Sequence, residues 1–191
     1  PGKARYGLML REDGYVFDDG TTSRLADDHF FMTTTTANAA RVLAHMEHAS
    51  QVLWPDLDVH FCSATEQWCG VAVAGPNARK VLADTFGDAI DVSDEALPFM
   101  GVREFDWQGV KARIFRISFS GELAYEVNVS WRYGEWMWDS IFEAGQSHGL
   151  IPYGVEALSV LRIEKGHVAG NELDGRTTAA DMGLGKMMSS K

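Results

Sequence analysis

The pattern of apolar and polar positions predicts that the chain opens with antiparallel strands. Residues Arg5 to Arg11 and Tyr15 to Phe17 flank an Asp-Gly pair, which between two such runs indicates a β-hairpin. The runs Thr21 to Leu25 and His29 to Thr36 repeat this arrangement around a short polar segment. Within the last run, Phe30-Phe31-Met32 predicts a strand that is buried on both faces.

Later segments alternate between strand and helix patterns. Apolar residues recur at helical spacing from Asn38 onward and predict a helix of about fourteen residues. Further helices are predicted at 78–86, 132–144 and 155–164. Further strands are predicted at 59–63, 67–74, 102–107, 110–118 and 123–129. Together these elements predict an α+β fold, in which helices pack on antiparallel sheets.

The organisation along the chain predicts two structured parts and a tail. Residues 1–55 form a first strand-strand-helix part, and residues 56–168 form a second α+β part. Residues 169–191 contain several glycines and little periodicity, which is typical of a loop-rich tail. Because the sequence ends without a recognisable helix cap, we expect residues 1–191 to be a fragment of a longer domain.

Charge and cysteine content narrow the possible classes of function. The 191 residues carry 27 acidic and 17 basic side chains, a net charge of −10, which disfavours binding to nucleic acid phosphates. Cys62 and Cys69 are too few for a disulfide framework and too far apart for a Cys-x-x-Cys metal site. No apolar run approaches the roughly 20 residues of a membrane helix. We therefore expect reduced thiols, no membrane partner and a cytoplasmic location.

Two adjacent acidic residues are the first candidates for chemistry. Asp18 and Asp19 follow an apolar run and precede Gly20, which predicts two carboxylates at the point where a strand leaves the sheet. Adjacent acids repel each other, and partial burial raises the pKa of a carboxyl, so that one of the two could accept a proton. An exposed Asp-Asp-Gly turn is the alternative interpretation of the same pattern.

Glu122 and Glu126 form a second acidic pair. In an extended chain, both side chains fall on the same face as Ala124. Two carboxylates inside a cleft could accept hydrogen bonds from the donor-rich edge of a heterocycle. A polar strand face turned toward water is the alternative interpretation.

The remaining motifs predict neither a metal site nor a nucleotide loop. His45 and His48 stand three apart on the predicted helix, but no third ligand is nearby in the sequence. Gly183-Leu184-Gly185-Lys186 lacks both the spacing of a phosphate-binding loop and a preceding apolar strand. We therefore predict no metal ligand.

Short motifs follow one another in a fixed order along nearly the whole chain. They are Arg5-Tyr6-Gly7-Leu8-Met9-Leu10, Phe17-Asp18-Asp19, Thr36-Ala37-Asn38, Gly75-Pro76-Asn77-Ala78, Ser118-Phe119-Ser120-Gly121-Glu122, Tyr125-Glu126, Tyr153-Gly154 and Leu161-Arg162-Ile163-Glu164. Their order resembles that of the aminomethyltransferase family, which comprises the glycine-cleavage T-protein and its relatives. The resemblance implies the folate-binding fold of that family, present here in part.

Three longer stretches of the sequence indicate a particular group within this family. Phe17 to Leu25, Met32 to Thr36 and Arg162 to His167 are similar to the amine-oxidising flavoenzymes of the family. This implies that sarcosine is oxidised to glycine and that its one-carbon unit passes to tetrahydrofolate as 5,10-methylenetetrahydrofolate. FAD, FMN and NAD are then expected in the parent enzyme but outside these residues, with other subunits of a hetero-oligomeric oxidase as partners. The fragment alone is expected to be inactive.

The resemblance also implies roles for individual residues. Asp19 matches the catalytic carboxylate beside the folate nitrogens, and Glu126 matches the glutamate that holds the pterin ring. Tyr6 matches an aromatic residue of the folate pocket, and Phe119 stands where many relatives have tyrosine. The arginine that grips the glutamate tail of folate in T-proteins aligns with Leu158, so tail recognition must differ here. Asp19 and Glu126 are expected to meet in one cleft.

Other functions remain open at this point. A stand-alone aminomethyltransferase would act on a lipoyl-carried aminomethyl group, and the absence of dinucleotide-binding glycine motifs upstream of these residues would favour it. A folate-fold module retained only for assembly would agree with the changes at Leu158 and Phe119. The identity of the amine, whether sarcosine, dimethylglycine or another, is also open because the oxidising site is expected outside these residues.

Overall fold

The computed structural model describes residues 1–188, so residues 189–191 of the predicted tail lie outside the described part of the chain. The strands are β1 (Lys3–Leu10), β2 (Val16–Arg24), β3 (Phe30–Met32), β4 (Trp68–Ala74), β5 (Val102–Trp107), β6 (Val110–Phe115) and β7 (Ala124–Ser130). The helices are α1 (Ala39–His48), α2 (Ala78–Phe86), α3 (Gly134–Gly145) and α4 (Val155–Lys165). The strands form a three-stranded sheet of order β1-β2-β3 and a four-stranded sheet of order β4-β7-β6-β5. The predicted α+β class is confirmed.

The chain divides into two compact units, and each unit is assembled from stretches that are separated in the sequence. The first unit contains Pro1–Ala4, Ser23–Phe30 and Glu66–His167. The second unit contains Arg5–Thr22, Phe31–Thr65 and the residues from Val168 onward. No helix within residues 1–188 is both long enough and apolar enough to cross a membrane.

The first unit is built on the four-stranded antiparallel sheet. β7 lies between β4 and β6, so that Val127 is opposite both Val71 and Ile114. Tyr125, Val127 and Val129 are fully buried because α2 and α3 pack over this face of the sheet. Burial of alternate residues along one strand is the arrangement expected when helices cover a single face of an antiparallel sheet.

Aromatic side chains hold the two helices against the sheet. The ring of Trp107, at the end of β5, lies 4.9 Å from that of Phe86 in α2 and 4.2 Å from that of Trp136 in α3, measured between centroids. The contact with Phe86 is edge-to-face, a favourable geometry for aromatic pairs. In contrast, α4 buries Arg162, whereas its apolar residue Ile163 is exposed.

The second unit contains the predicted N-terminal hairpin. β1 and β2 are adjacent, and Gly14 takes a positive φ of 83° in the turn between them. The amide of Val16 donates to the carbonyl oxygen of Thr177 at 2.9 Å, and Tyr15 forms an antiparallel bridge with Thr178. Part of the predicted loop-rich tail therefore pairs with the start of β2.

Several predicted elements differ from those observed. β2 runs without a break to Arg24, where the pattern predicts a separate strand. β3 is an edge strand, and Phe30 is 54% exposed, so the prediction of burial on both faces is wrong. Residues 59–63 form no strand in the described chain, because no neighbouring strand pairs with their backbone. The helix predicted from Asn38 is α1, which has 10 residues and is followed by a wider π-helical turn at Ala49–Leu53.

Gly20 allows a close backbone approach in the second unit. A Cβ atom on Gly20 would overlap the carbonyl oxygen of Thr33 and would lie 2.8 Å from its carbonyl carbon. Thr33 is held in place by its amide, which donates to the carbonyl oxygen of Thr21 at 2.9 Å. Only glycine therefore leaves room for the segment after β3 to pair with β2 in this way.

We expect Gly20→Ala to destabilise the protein by about 1 to 3 kcal/mol, because the added methyl group meets backbone atoms that cannot rotate away. Gly7→Ala is the matched control, since the Cβ position of Gly7 in β1 has no atom within 4 Å. Urea unfolding of both variants measures the difference. Equal stability of the two variants would contradict the proposed steric constraint.

Candidate functional site

Asp18 and Asp19 lie in the interior of β2, so the prediction that they mark the point where a strand leaves the sheet is wrong. The strand continues because Gly20 lets the next segment pair closely with it. The two side chains point to opposite faces, as neighbouring residues of a strand do. The alternative of an exposed turn is also wrong, because Asp18 is fully buried and Asp19 is partly buried.

Asp18 anchors the segment that follows β3. Its Oδ2 accepts a hydrogen bond from the amide of Thr35 at 3.2 Å, whereas its Oδ1 has no hydrogen-bond partner among the described residues. A buried polar atom without a hydrogen-bond partner is costly, so the burial of Asp18 lowers the stability of the folded state next to the candidate residue Asp19. The local sequence pattern did not separate Asp18 from Asp19, and only the family resemblance assigned the catalytic role to Asp19. The alternation in β2, with Val16 and Asp18 both fully buried, is the signal that distinguishes them.

The structure brings Asp19 and Tyr6 together within the second unit. The Tyr6 hydroxyl donates a hydrogen bond to Asp19 Oδ2 at 2.8 Å. Burial raises the pKa of Asp19, the hydrogen bond from Tyr6 opposes this rise, and the charge of Asp18 adds to it. The pKa of Tyr6 is also raised, first by burial and then by its bond to Asp19. Tyr6 therefore remains a donor that fixes one oxygen of Asp19, while the carboxyl keeps an increased affinity for a proton.

Glu126 lies on the face of the four-stranded sheet that is turned away from α2 and α3. Its strand neighbours Tyr125 and Val127 are fully buried on the helix side, so Glu126 must point the other way. Ala72 of β4 and Phe115 of β6 are its partners in the register. The strand position of Glu126 therefore fixes the direction of its carboxyl.

The carboxyl of Glu126 has no hydrogen bond or ion pair with any other residue between 1 and 188. Burial alone raises its pKa above the ordinary value of 4.5. A partly buried carboxylate without donors is costly, and bound N–H groups would remove that cost. Glu122 is exposed and precedes β7, which begins at Ala124, so the prediction that the two glutamates share a strand face is wrong.

Phe119 is a surface aromatic residue that is held by a histidine. Its side chain is 40% exposed, and its ring stacks on that of His167 with centroids 5.9 Å apart and planes at 28°. His167 Nδ1 lies 2.8 Å from the carbonyl oxygen of Phe119. Sequence reasoning did not single out His167, which the structure places against the candidate residue Phe119. Its position directly after Gly166 at the end of a predicted helix is a signal that it is rigidly placed.

The predicted site residues thus fall into two groups. Tyr6 and Asp19 are in contact in the second unit, and Phe119 and Glu126 both belong to the first unit. That Asp19 and Glu126 line one cleft stays a prediction. Leu158, which stands where T-proteins have arginine, is a partly buried residue of α4.

The cysteine and metal predictions concern other parts of the chain. Cys62 is exposed and Cys69 is partly buried, and both are free thiols. In the part of the chain that the structure describes, no group of three or more His, Cys, Asp or Glu side chains is placed to hold a metal ion.

Comparison with known proteins places this arrangement in a family. The family model described as the GCVT N-terminal domain matches residues 1–191, the full length of the chain. The chain belongs to this family, and the predicted resemblance to aminomethyltransferases is confirmed.

The relatives of this chain include sarcosine oxidase subunits and aminomethyltransferases. The sarcosine oxidase subunit alpha of Rhizobium meliloti (strain 1021) is 57% identical over 191 residues, which are 99% of this chain and 19% of that protein. The aminomethyltransferase of Chloroherpeton thalassium (strain ATCC 35110 / GB-78) is 30% identical over 185 residues, which are 96% of this chain and 49% of that protein. The predicted similarity to the alpha subunit of sarcosine oxidase is confirmed. The chain therefore spans 19% of the first relative and 49% of the second.

The fold also matches a solved structure. The crystal structure of glycine cleavage system aminomethyltransferase T from Bartonella henselae superposes with a TM-score of 0.79 at 24% sequence identity. The match covers 99% of this chain and 48% of that chain. The predicted T-protein fold, present in part, is confirmed.

We expect Glu126→Gln to stabilise the folded protein at neutral pH. The pKa of Glu126 is raised in the folded state, so as pH rises above 4.5 the unfolded chain releases this proton before the folded chain does. The wild type therefore loses stability until pH passes the raised pKa, whereas the variant has no such proton to lose. The advantage of the variant should therefore grow as pH rises from the ordinary glutamate pKa of 4.5 through the raised pKa of Glu126, and should level off above it.

Thermal unfolding at several pH values measures this difference. Glu122→Gln is the matched control, because Glu122 is an exposed glutamate of the same segment, and it should show no such trend. A difference between the wild type and Glu126→Gln that stays constant across the pH range would contradict the proposed cost of burying this carboxylate.

Proposed function

We propose that the chain is the tetrahydrofolate-binding region of a sarcosine oxidase, which oxidises sarcosine to glycine and passes the one-carbon unit to tetrahydrofolate as 5,10-methylenetetrahydrofolate. The observation that carries this proposal is the partly buried, unpaired carboxyl of Glu126 on the sheet face turned away from α2 and α3. The identity of 57% to a sarcosine oxidase subunit alpha, against 30% to an aminomethyltransferase, supports the oxidase over the stand-alone transferase.

Glu126 and Phe119 are the proposed binding residues for the pterin ring. A reduced pterin carries an amino group and ring N–H groups, all of which donate hydrogen bonds. A carboxylate can accept two of them, and these bonds would offset the burial that raises the pKa of Glu126. The exposed ring of Phe119 offers a surface on which a planar heterocycle can stack. Because Phe119 has no hydroxyl group, its contribution is limited to stacking.

Asp19 is the proposed catalytic carboxylate. Formaldehyde and tetrahydrofolate combine with loss of water, and the folate amine must lose a proton as its bond to carbon forms. Asp19 can accept this proton, because burial raises its pKa toward the working pH. The hydroxyl of Tyr6 fixes one oxygen of Asp19, so the carboxyl is oriented before the ligand arrives.

The oxidation of sarcosine is assigned to parts of the protein outside these residues. A flavin held there would supply the chemistry that oxidises the N-methyl group, with dioxygen as the final electron acceptor and hydrogen peroxide as its product. FAD, FMN and NAD would therefore be held elsewhere in the parent enzyme, and other subunits would be its partners. The cytoplasm is the proposed location.

We expect Glu126→Gln to weaken the binding of tetrahydrofolate to the complete protein by about 10- to 100-fold. The amide keeps one acceptor oxygen but turns an NH₂ group toward a ligand donor, so one charge-assisted hydrogen bond is replaced by a repulsive contact. Isothermal titration calorimetry under anaerobic conditions measures the dissociation constants. The outcome is separate from the stability difference predicted above, because each variant is titrated in its folded state.

Glu122→Gln is the control for this titration, since it removes an exposed carboxylate from the same segment. Equal affinities for the wild type and Glu126→Gln would remove Glu126 from the site. Failure of the complete wild-type protein to bind any folate would refute the proposed function and favour a folate-fold module retained only for assembly.

We expect Asp19→Asn to leave tetrahydrofolate binding nearly unchanged but to slow capture of the one-carbon unit by about 10²- to 10⁴-fold, because the amide cannot accept the proton. The measurement is the ratio of 5,10-methylenetetrahydrofolate to free formaldehyde produced from sarcosine by the complete protein. Hydrogen peroxide production is the control, since sarcosine oxidation should continue at the normal rate. An unchanged product ratio would refute the catalytic role of Asp19.

A further inference from the structure

His167 is fixed by the way in which α4 ends. Gly166 takes a positive φ of 82° after the last helical residue. The amide of Gly166 donates to the carbonyl oxygen of Ile163 at 3.0 Å, and the amide of His167 donates to that of Arg162 at 2.9 Å. This pair of bonds is the Schellman motif, which sets the direction of the chain as it leaves a helix.

Two further hydrogen bonds hold the carbonyl group and the imidazole of His167. A guanidinium nitrogen of Arg162, Nη1, donates to the carbonyl oxygen of His167 at 3.2 Å, and Arg162 is itself buried. The side-chain Nδ1 of His167 lies 2.8 Å from the carbonyl oxygen of Phe119. A carbonyl oxygen can only accept, so Nδ1 carries the proton in this bond. The amide, carbonyl and imidazole of His167 are therefore all held by hydrogen bonds.

This arrangement leaves one nitrogen of the imidazole available. In the neutral ring with a proton on Nδ1, Nε2 is a hydrogen-bond acceptor, and it has no hydrogen-bond partner within residues 1–188. The same imidazole stacks on the half-exposed ring of Phe119. The acceptor is thus attached rigidly to an aromatic surface that is open to a ligand.

We infer that His167 is a ligand-binding residue whose Nε2 accepts a hydrogen bond from an N–H group of the heterocycle that stacks at Phe119. This inference rests on the proposed function, which supplies a ligand rich in N–H donors. Glu126 supplies carboxylate acceptors from the same unit, and His167 adds a neutral acceptor of fixed direction. A neutral acceptor suits a ring N–H without requiring a second buried charge.

A purely structural role for His167 makes a different prediction. The segment at Phe119 packs against the end of α4, where a Cβ atom on Gly121 would lie 2.7 Å from the side chain of Lys165. If His167 only holds this segment, the bond from Nδ1 is its important interaction. If His167 binds the ligand, the affinity for the ligand depends mainly on the acceptor at Nε2. Two substitutions separate these roles because each retains the polar group of only one ring nitrogen.

The test compares His167→Asn with His167→Gln in the complete protein. The asparagine amide can still donate to the carbonyl oxygen of Phe119 but has nothing at the place of Nε2, whereas the glutamine amide reaches that place. We expect the affinity for 5-formyltetrahydrofolate, used as an unreactive probe, to fall about ten-fold in the asparagine variant and about three-fold or less in the glutamine variant. His60→Asn, at a fully exposed histidine, is the control.

Each other outcome overturns the inference. An asparagine variant that binds the probe as the wild type does, or equal losses in the two variants, would exclude a contact through Nε2. If the asparagine variant does not fold, the ¹⁵N resonance of His167 Nε2 in the wild type provides the answer, because it must shift when the probe saturates the site. Failure of the wild type to bind the probe would refute both the proposed function and this inference, whereas binding without these effects would refute the inference alone.

Discussion

The alternation of side chains along β7 is the constraint on which the first unit depends. Tyr125, Val127 and Val129 must all point toward α2 and α3 to be fully buried, and pairing with both β4 and β6 holds the strand in that register. A shift of one residue would put Glu126 into the apolar core and bring the core residues to the other face. The energy of the core therefore also fixes the direction of Glu126, which receives no stabilising bond from any other described residue.

The alternation of side chains along β2 likewise turns the neighbouring residues Asp18 and Asp19 to opposite faces. Asp18 is fully buried and bonds to the amide of Thr35, whereas Asp19 faces the hydroxyl of Tyr6. Two adjacent carboxyls thus acquire different surroundings without any intervening residue. The close approach at Gly20 lets the segment after β3 pair with this part of the strand. The stability of the strand and the environment of the candidate catalytic group therefore have a common structural origin.

Much of the fold was predictable because, in most segments, the apolar residues recur with the period of either a helix or a strand. The bounds of α2 and β5 follow from local patterns alone, whereas β6 begins at Val110 as predicted but ends at Phe115, three residues earlier than its pattern indicates. The exposure of Phe30 depends on the position of β3 at the edge of its sheet. Residues 59–63 are irregular because no strand pairs with them. Neither fact can be obtained from the local sequence. For the site, motif order suggested Asp19 and Glu126, but the bond between His167 and Phe119 joins residues 48 positions apart.

The pairing of the start of β2 with residues Thr177 and Thr178 has a consequence for biosynthesis. The amide of Val16 donates to the carbonyl oxygen of Thr177, which lies 161 positions later in the sequence. The long stretch Glu66–His167, which makes up most of the first unit, is released in between. The pairing at the start of β2 is therefore completed only after this stretch has been translated, and its partner on β2 stays without that hydrogen bond until then.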